Sequence, residues 1–225
     1  MQLKPLFKGR FRRHWQDNHD LVIRVVESCI RERRMVAEGE HLLTQGESNP
    51  PMMLVPEGRI AMGYTAMNGR RFQLGTMECD NQIFGEMEFF TGYRCQLDIL
   101  ALEPLTIARI DSALLEQELL AHPEVALFFA TAMAIDYQDT VDIFACRMLF
   151  PISYNIAWDL YHSYHHDNPV SGFRKSYLEA ERFGTTDRVY RRAVKELVEL
   201  GLVRRGEEGL EIADLAALRT FLEQP

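Results

Sequence analysis

The sequence predicts an α+β chain: an antiparallel β-roll over residues 1–120, a long helix over 121–149 and a winged helix-turn-helix over 150–225. Three observations predict it. Between Arg34 and Ile110, glycines (Gly39, Gly46, Gly58, Gly69, Gly75, Gly85, Gly92) punctuate short apolar runs, the pattern of an all-β unit. From Glu124 to Leu149 there is neither proline nor glycine, so one helix can run the whole way. From Tyr177 to Val203 two apolar-periodic segments flank Gly184, and a short hairpin pattern follows.

The expected strands are His41–Thr44, Met52–Val55, Arg59–Thr65, Arg71–Leu74, Asp98–Leu102 and Thr106–Ile110. Asn68-Gly69 reads as a type I′ hairpin turn, because both residues tolerate positive φ. Met52, Met53, Met62, Met67 and Met77 read as core filling. Ser112 to Leu120 predicts a short helix, and Pro123 suits the first turn of the next, where its missing N–H costs nothing. That long helix is apolar on most faces (Val125, Phe128, Phe129, Met133, Val141, Phe144, Met148), apart from an acidic stripe at Asp136, Asp139 and Asp142. One side can pack on the roll. The other needs a second partner, for which a copy of the same chain is the simplest choice and deeper burial within a monomer the alternative. Pro151 ends the helix and places a hinge at Phe150-Pro151; Ile152 to His165 is the next helix, and Asp167-Asn168-Pro169 breaks the chain again.

A short helix then ends at Gly184, with Thr185 and Thr186 as N-cap candidates for the following one. Val189, Ala193, Val194 and Leu197 are expected on its inner face. Asp187, Arg188, Arg191 and Arg192 lie opposite, near the N-terminal half that a recognition helix offers to base edges. Arginine bonds bidentately to guanine, and aspartate accepts from cytosine N4. Leu202-Val203, a turn over 204–209 and Leu210 to Ile212 form a wing carrying Arg204 and Arg205.

The chain carries a net charge of −8, which excludes indiscriminate polyanion binding. A local positive face suffices for reading DNA, since phosphate contacts set affinity. From Arg182 to Arg205, Arg182, Arg188, Arg191, Arg192, Lys195, Arg204 and Arg205 outnumber Asp187, Glu196 and Glu199. No signal peptide or membrane span is expected, which predicts a cytoplasmic protein. Cys29, Cys79, Cys95 and Cys146 show no metal-ligand spacing and read as free thiols. His162, His165 and His166 read as a solvated helix end, and no catalytic constellation or metal site stands out. A β-roll metalloenzyme and a ligand-sensing module acting through protein contacts remain as alternatives.

The run from Gly184 to Val203 resembles, without a gap, the DNA-binding segment of the Crp/Fnr family of transcription regulators. Glu38-Gly39-Glu40, Gly46-Glu47 and Val55 to Ile60 resemble that family's β-roll signatures, and Phe84-Gly85-Glu86 the start of its phosphate-binding cassette. The Glu86 to Phe90 region and the segment at Phe150 are similar to its YeiL branch. The resemblance implies a homodimer on double-stranded DNA, working with RNA polymerase. It puts Asp187, Arg188 and Arg192 at base-reading positions and Thr186 at a phosphate contact. It also implies a cyclic-nucleotide-binding-like pocket at Gly85, Glu86, Met87, Arg94, Cys95, Gln96 and Thr140, with Glu86 on the ribose. There the pattern departs. An Arg-Ser/Thr pair is expected, whereas the chain reads Arg94-Cys95-Gln96, and Thr140 is followed by Val141 where a second hydroxyl is expected. A cyclic nucleotide, another small ligand, or none all stay open.

Overall fold

A computed structural model of the chain describes residues 1–7, 9–69, 71–165, 175–206 and 209–223. The chain divides into two compact units, one of residues 1–60 with 78–140 and the other of 61–77 with 141–225.

The first unit opens with a helix that the apolar pattern did not announce, α1 (Arg12–Ser28). Trp15, Val22, Val25 and Val26 give it one buried stripe within an otherwise polar run. Six strands follow: β1 (Ile30–Val36), β2 (His41–Leu43), β3 (Met52–Thr65), β4 (Arg71–Phe84), β5 (Asp98–Ala101) and β6 (Leu105–Ile110). They form a curled sheet in the order β1-β6-β3-β5-β2, with β4 on β3. β1 and β6 pair antiparallel from Ile30↔Ile110 to Val36↔Leu105, with a bulge between Ile30 and Glu32. A short helix α2 (Glu86–Thr91) interrupts the strands after β4, and α3 (Ser112–Ala121) closes them, its start capped by Asp111. The long helix α4 (Pro123–Leu149) contributes Phe128 and Phe129 to a core shared with Trp15, Met52, Leu54, Ile83 and Leu115. At roughly 1.5–3 kcal/mol per large apolar side chain buried, this cluster drives the collapse of the roll.

Three expectations for the roll need correction. The two strands expected around Val55 to Ile60 are one, β3, because proline's fixed φ suits extended backbone and the chain passes through Pro56 without turning. The hairpin turn between β3 and β4 sits one residue early: Gly69 N–H donates to the Ala66 carbonyl at 2.9 Å, and of the Asn68-Gly69 pair only Gly69 has positive φ. Met67 therefore rides on the turn, fully exposed, while Met52, Met53 and Met62 are core.

The second unit contains α5 (Ile152–His165), α6 (Ser176–Arg182), α7 (Asp187–Glu199), the hairpin of β7 (Val203–Arg205) and β8 (Leu210–Ile212), and α8 (Leu215–Glu223). Its core joins Ile156 and Ala157 of α5 to Ala180, Tyr190, Ala193, Val194, Leu197, Val203 and Leu218. Arg147, in the last turns of α4, lies over Phe72 at 5.1 Å and Phe183 at 5.7 Å. The expected break at Asp167-Asn168-Pro169 falls outside the described residues, as do His166 and positions 207 and 208 of the wing turn. No single helix among the described residues is long and apolar enough to cross a membrane.

Candidate nucleic-acid interface

Helix α6 stops at Phe183, and Gly184 then takes φ 62°, a left-handed conformation that glycine adopts without a Cβ penalty. The Thr185 N–H returns to the Ala180 carbonyl at 2.8 Å, which tightens the turn. Thr186 is the N-cap of α7, its hydroxyl accepting from Val189 N–H. The register of α7 differs from expectation by one residue. Tyr190, with Ala193, Val194 and Leu197, makes the buried stripe, and Val189 is 44% exposed. Spacings of three, one and three keep those four on one side, while Val189 lies about 100° away from Tyr190. Tyr190 stacks on Phe183 at 6.0 Å, and burial next to Glu179 pushes its hydroxyl pKa up.

With the inner side so occupied, Arg188, Arg191 and Arg192 face solvent. They are not equivalent. Asp187 accepts from the Ser176 hydroxyl at 2.6 Å and pairs with Arg191 one turn along, so its carboxyl pKa is lowered, chiefly by Ser176. Arg188 and Arg192 have no ion-pair partner among the described residues. On the wing, Arg204 is tied to Glu211 at 2.8 Å and Arg205 is exposed; the Gly206 N–H closes the turn on the Gly209 carbonyl at 2.7 Å. Lys195 pairs with Glu199 at 3.5 Å.

Arg182 does not belong to the positive face on which its sequence position placed it. It is 3% exposed and gripped by two carboxylates, Asp159 at 2.7 and 2.8 Å and Glu179 at 3.0 and 3.1 Å. Burial opposes its charge, but the paired carboxylates more than reverse that and raise its pKa. The cluster bolts α6 to α5, and so fixes the turn from which α7 departs. No spacing in the sequence signals it, because Asp159 is contributed by a different helix. Ser176 was equally invisible as a partner for Asp187.

The sensor-side residues are only partly brought together. Gly85 takes φ 87°, and a Cβ there would lie 2.8 Å from the Pro51 carbonyl oxygen, so glycine is required for the chain to enter α2. Glu86 is buried, its carboxylate accepting from the Met1 amine at 2.7 Å; that amine also donates to the Ile83 carbonyl at 2.9 Å. Met87 is 53% exposed. Arg94 is exposed and donates to the Gly46 carbonyl at 3.3 Å, while Cys95 is buried with its thiol on the Leu97 carbonyl at 3.2 Å. Gln96 spends its N–H on Glu88 at 3.3 Å, and Thr140 returns its hydroxyl to the Asp136 carbonyl of its own helix at 2.8 Å. A cyclic phosphate needs a charge-assisted donor beside small N–H and hydroxyl donors. These residues do not supply that set.

The four cysteines are unpaired and buried; burial pushes Cys79 to about 12 and Cys146 to about 11. His162 stacks on Trp158 at 4.5 Å and His165 lies against Tyr161 at 4.6 Å. No group of metal-ligating side chains gathers among the described residues.

Residues 33–122 match the family model of the cyclic nucleotide-binding domain. Among solved structures, the chain is similar to the c-di-GMP-responsive global regulator CLP of Xanthomonas campestris, at 15% identity and TM-score 0.71, over 87% of this chain and 99% of that one. A CooA variant from Carboxydothermus hydrogenoformans is similar at 16% identity and TM-score 0.68, over 99% and 96%. A CRP-family transcriptional regulator of Thermus thermophilus is similar at 18% identity and TM-score 0.65, over 85% and 97%. No curated protein matches the sequence. The shared architecture is the β-roll, long helix and terminal helical head of those regulators.

Proposed function

We propose that this chain is a homodimeric, sequence-specific DNA-binding transcription regulator of the Crp/Fnr type, acting in the cytoplasm and controlled by a signal sensed in its β-roll. The observation that carries the proposal is α7. Its apolar side is fully engaged, its N-terminus is capped behind a left-handed glycine, and Arg188 and Arg192 are exposed beside a two-stranded wing, with no ion-pair partner among the described residues. Such a helix can enter a major groove without rearrangement, with Thr186 at the phosphate edge.

Residues 1–120 serve as the sensor, 121–149 as the dimer helix and 150–225 as the reading head. The dimer seam is the exposed stripe of Tyr137, Val141, Phe144 and Met148 on α4, spaced four, three and four residues apart. RNA polymerase is the expected partner of the bound dimer. Because the cassette does not fit a cyclic phosphate, the controlling signal is of another kind.

Duplexes selected from a random library by the purified protein define the operator. Arg188→Ala and Arg192→Ala are each expected to cost about 1–3 kcal/mol of operator binding, read by fluorescence anisotropy, with the dimer intact by light scattering. Wild-type affinity in both variants would overturn the assignment.

A further inference from the structure

The Asp187 side chain stands where the family reads a base, yet its carboxylate is already spoken for. One oxygen takes the Ser176 hydroxyl, from the first residue of α6, at 2.6 Å; the other takes the Arg191 guanidinium, one turn down α7. The carboxylate thus ties the two helices of the reading motif together, and it compensates the charge of an arginine that is 63% exposed. A base reader needs the opposite: an acceptor free to turn toward the groove, as the side chains of Arg188 and Arg192 are free to do.

We propose that Asp187 is a positioning residue, not a base-reading one: it holds Arg191 back from the phosphates and leaves sequence discrimination to Arg188 and Arg192. The proposal rests on the DNA-binding reading above and deepens it by naming the half-site chemistry. Two arginines four residues apart on one helix face select guanines. A cytosine contact through Asp187 is not part of the readout.

Asp187→Asn separates the two roles. The asparagine oxygen still accepts from Ser176, but it no longer neutralises Arg191, which is released to a phosphate. Released in this way, Arg191 adds one counterion to those displaced, so the affinity ratio between 50 and 200 mM salt grows by about threefold. The bases selected from a random duplex library stay those of the wild type. If Asp187 reads a base, the same substitution moves the preference at one half-site position toward adenine, the partner of asparagine, and the proposal is overturned. It is also overturned if the salt slope stays unchanged. A Ser176→Ala variant, which leaves the Asp187–Arg191 pair in place, should keep the wild-type base selection; a changed selection there counts against the proposal too. Should the wild-type chain select no duplex at all, the regulator reading fails and takes this proposal with it, an outcome distinct from a shifted base preference.

Discussion

Replacing Arg182 by alanine leaves two carboxylates, Asp159 and Glu179, facing each other without their cation. Their side chains are 18% and 9% exposed and that of Arg182 4%, so water reaches none of them well. Removing one partner of a buried ion cluster costs about 3–5 kcal/mol, because the remaining charges are stranded. With a urea slope of about 2 kcal/mol per molar, the unfolding midpoint of the C-terminal unit falls by roughly 2 M. The chain's two tryptophans make the assay selective: Trp15 lies in the first unit and Trp158 on α5 in the second, so a Trp15→Phe background follows the second alone. The companion triple variant Arg182→Met, Asp159→Leu, Glu179→Met removes every charge at once. It should sit within about 1–3 kcal/mol of the parent, the residual being the Tyr190 hydroxyl that loses Glu179. An Arg182→Ala midpoint that does not move would refute the reasoning, because it would mean the two acids are solvated or protonated at no cost.

Three further outcomes are expected. Phe144→Glu places a charge in the proposed dimer seam, where Phe144 and Met148 are 55% and 83% exposed in the single chain; at about 1.5–3 kcal/mol per large side chain buried in the seam, sedimentation should show dissociation, and an unaltered dimer would displace the seam elsewhere. His19 lies 5.8 Å from Phe128, and burial lowers its pKa below the ordinary 6.5 despite the opposing charge of Asp20. The unfolded chain therefore takes the proton first, so stability is whole above pH 6.5 and declines below it; thermal melts at stepped pH should show that decline, and His19→Leu should flatten it. Calorimetry with cyclic AMP should give no saturable heat, whereas micromolar binding would show that Arg94 and Cys95 rearrange into a phosphate site.

Much of this architecture was legible in the sequence, because it rests on local rules. Glycine at a helix stop, threonine at an N-cap and an uninterrupted apolar run each announce their element without knowledge of distant partners. What was missed is long-range. Helix α1 hides its four buried positions among charged and amide residues, so its apolar stripe is thin until α3 and α4 are there to receive it. Val189 and Tyr190 differ in which one a core can use, and the choice falls to Tyr190 because Phe183 offers a ring to stack on and Glu179 a partner for its hydroxyl. Arg182 looks like a surface cation until Asp159 is brought to it from α5. The reading-head residues were found by helical spacing, but spacing says nothing about who neutralises whom, and so Ser176 went unseen.

The internal pairing of the head's cations has a consequence for how the protein would find its target. Among the described basic residues between Arg182 and Arg205, Arg182, Arg191, Lys195 and Arg204 are all satisfied by acids of the same chain, leaving Arg188, Arg192 and Arg205 uncommitted. On a chain of net charge −8, so few uncommitted cations give a shallow attraction to random sequence. Visits to the wrong site are then brief, and the search proceeds by many short landings instead of long one-dimensional slides.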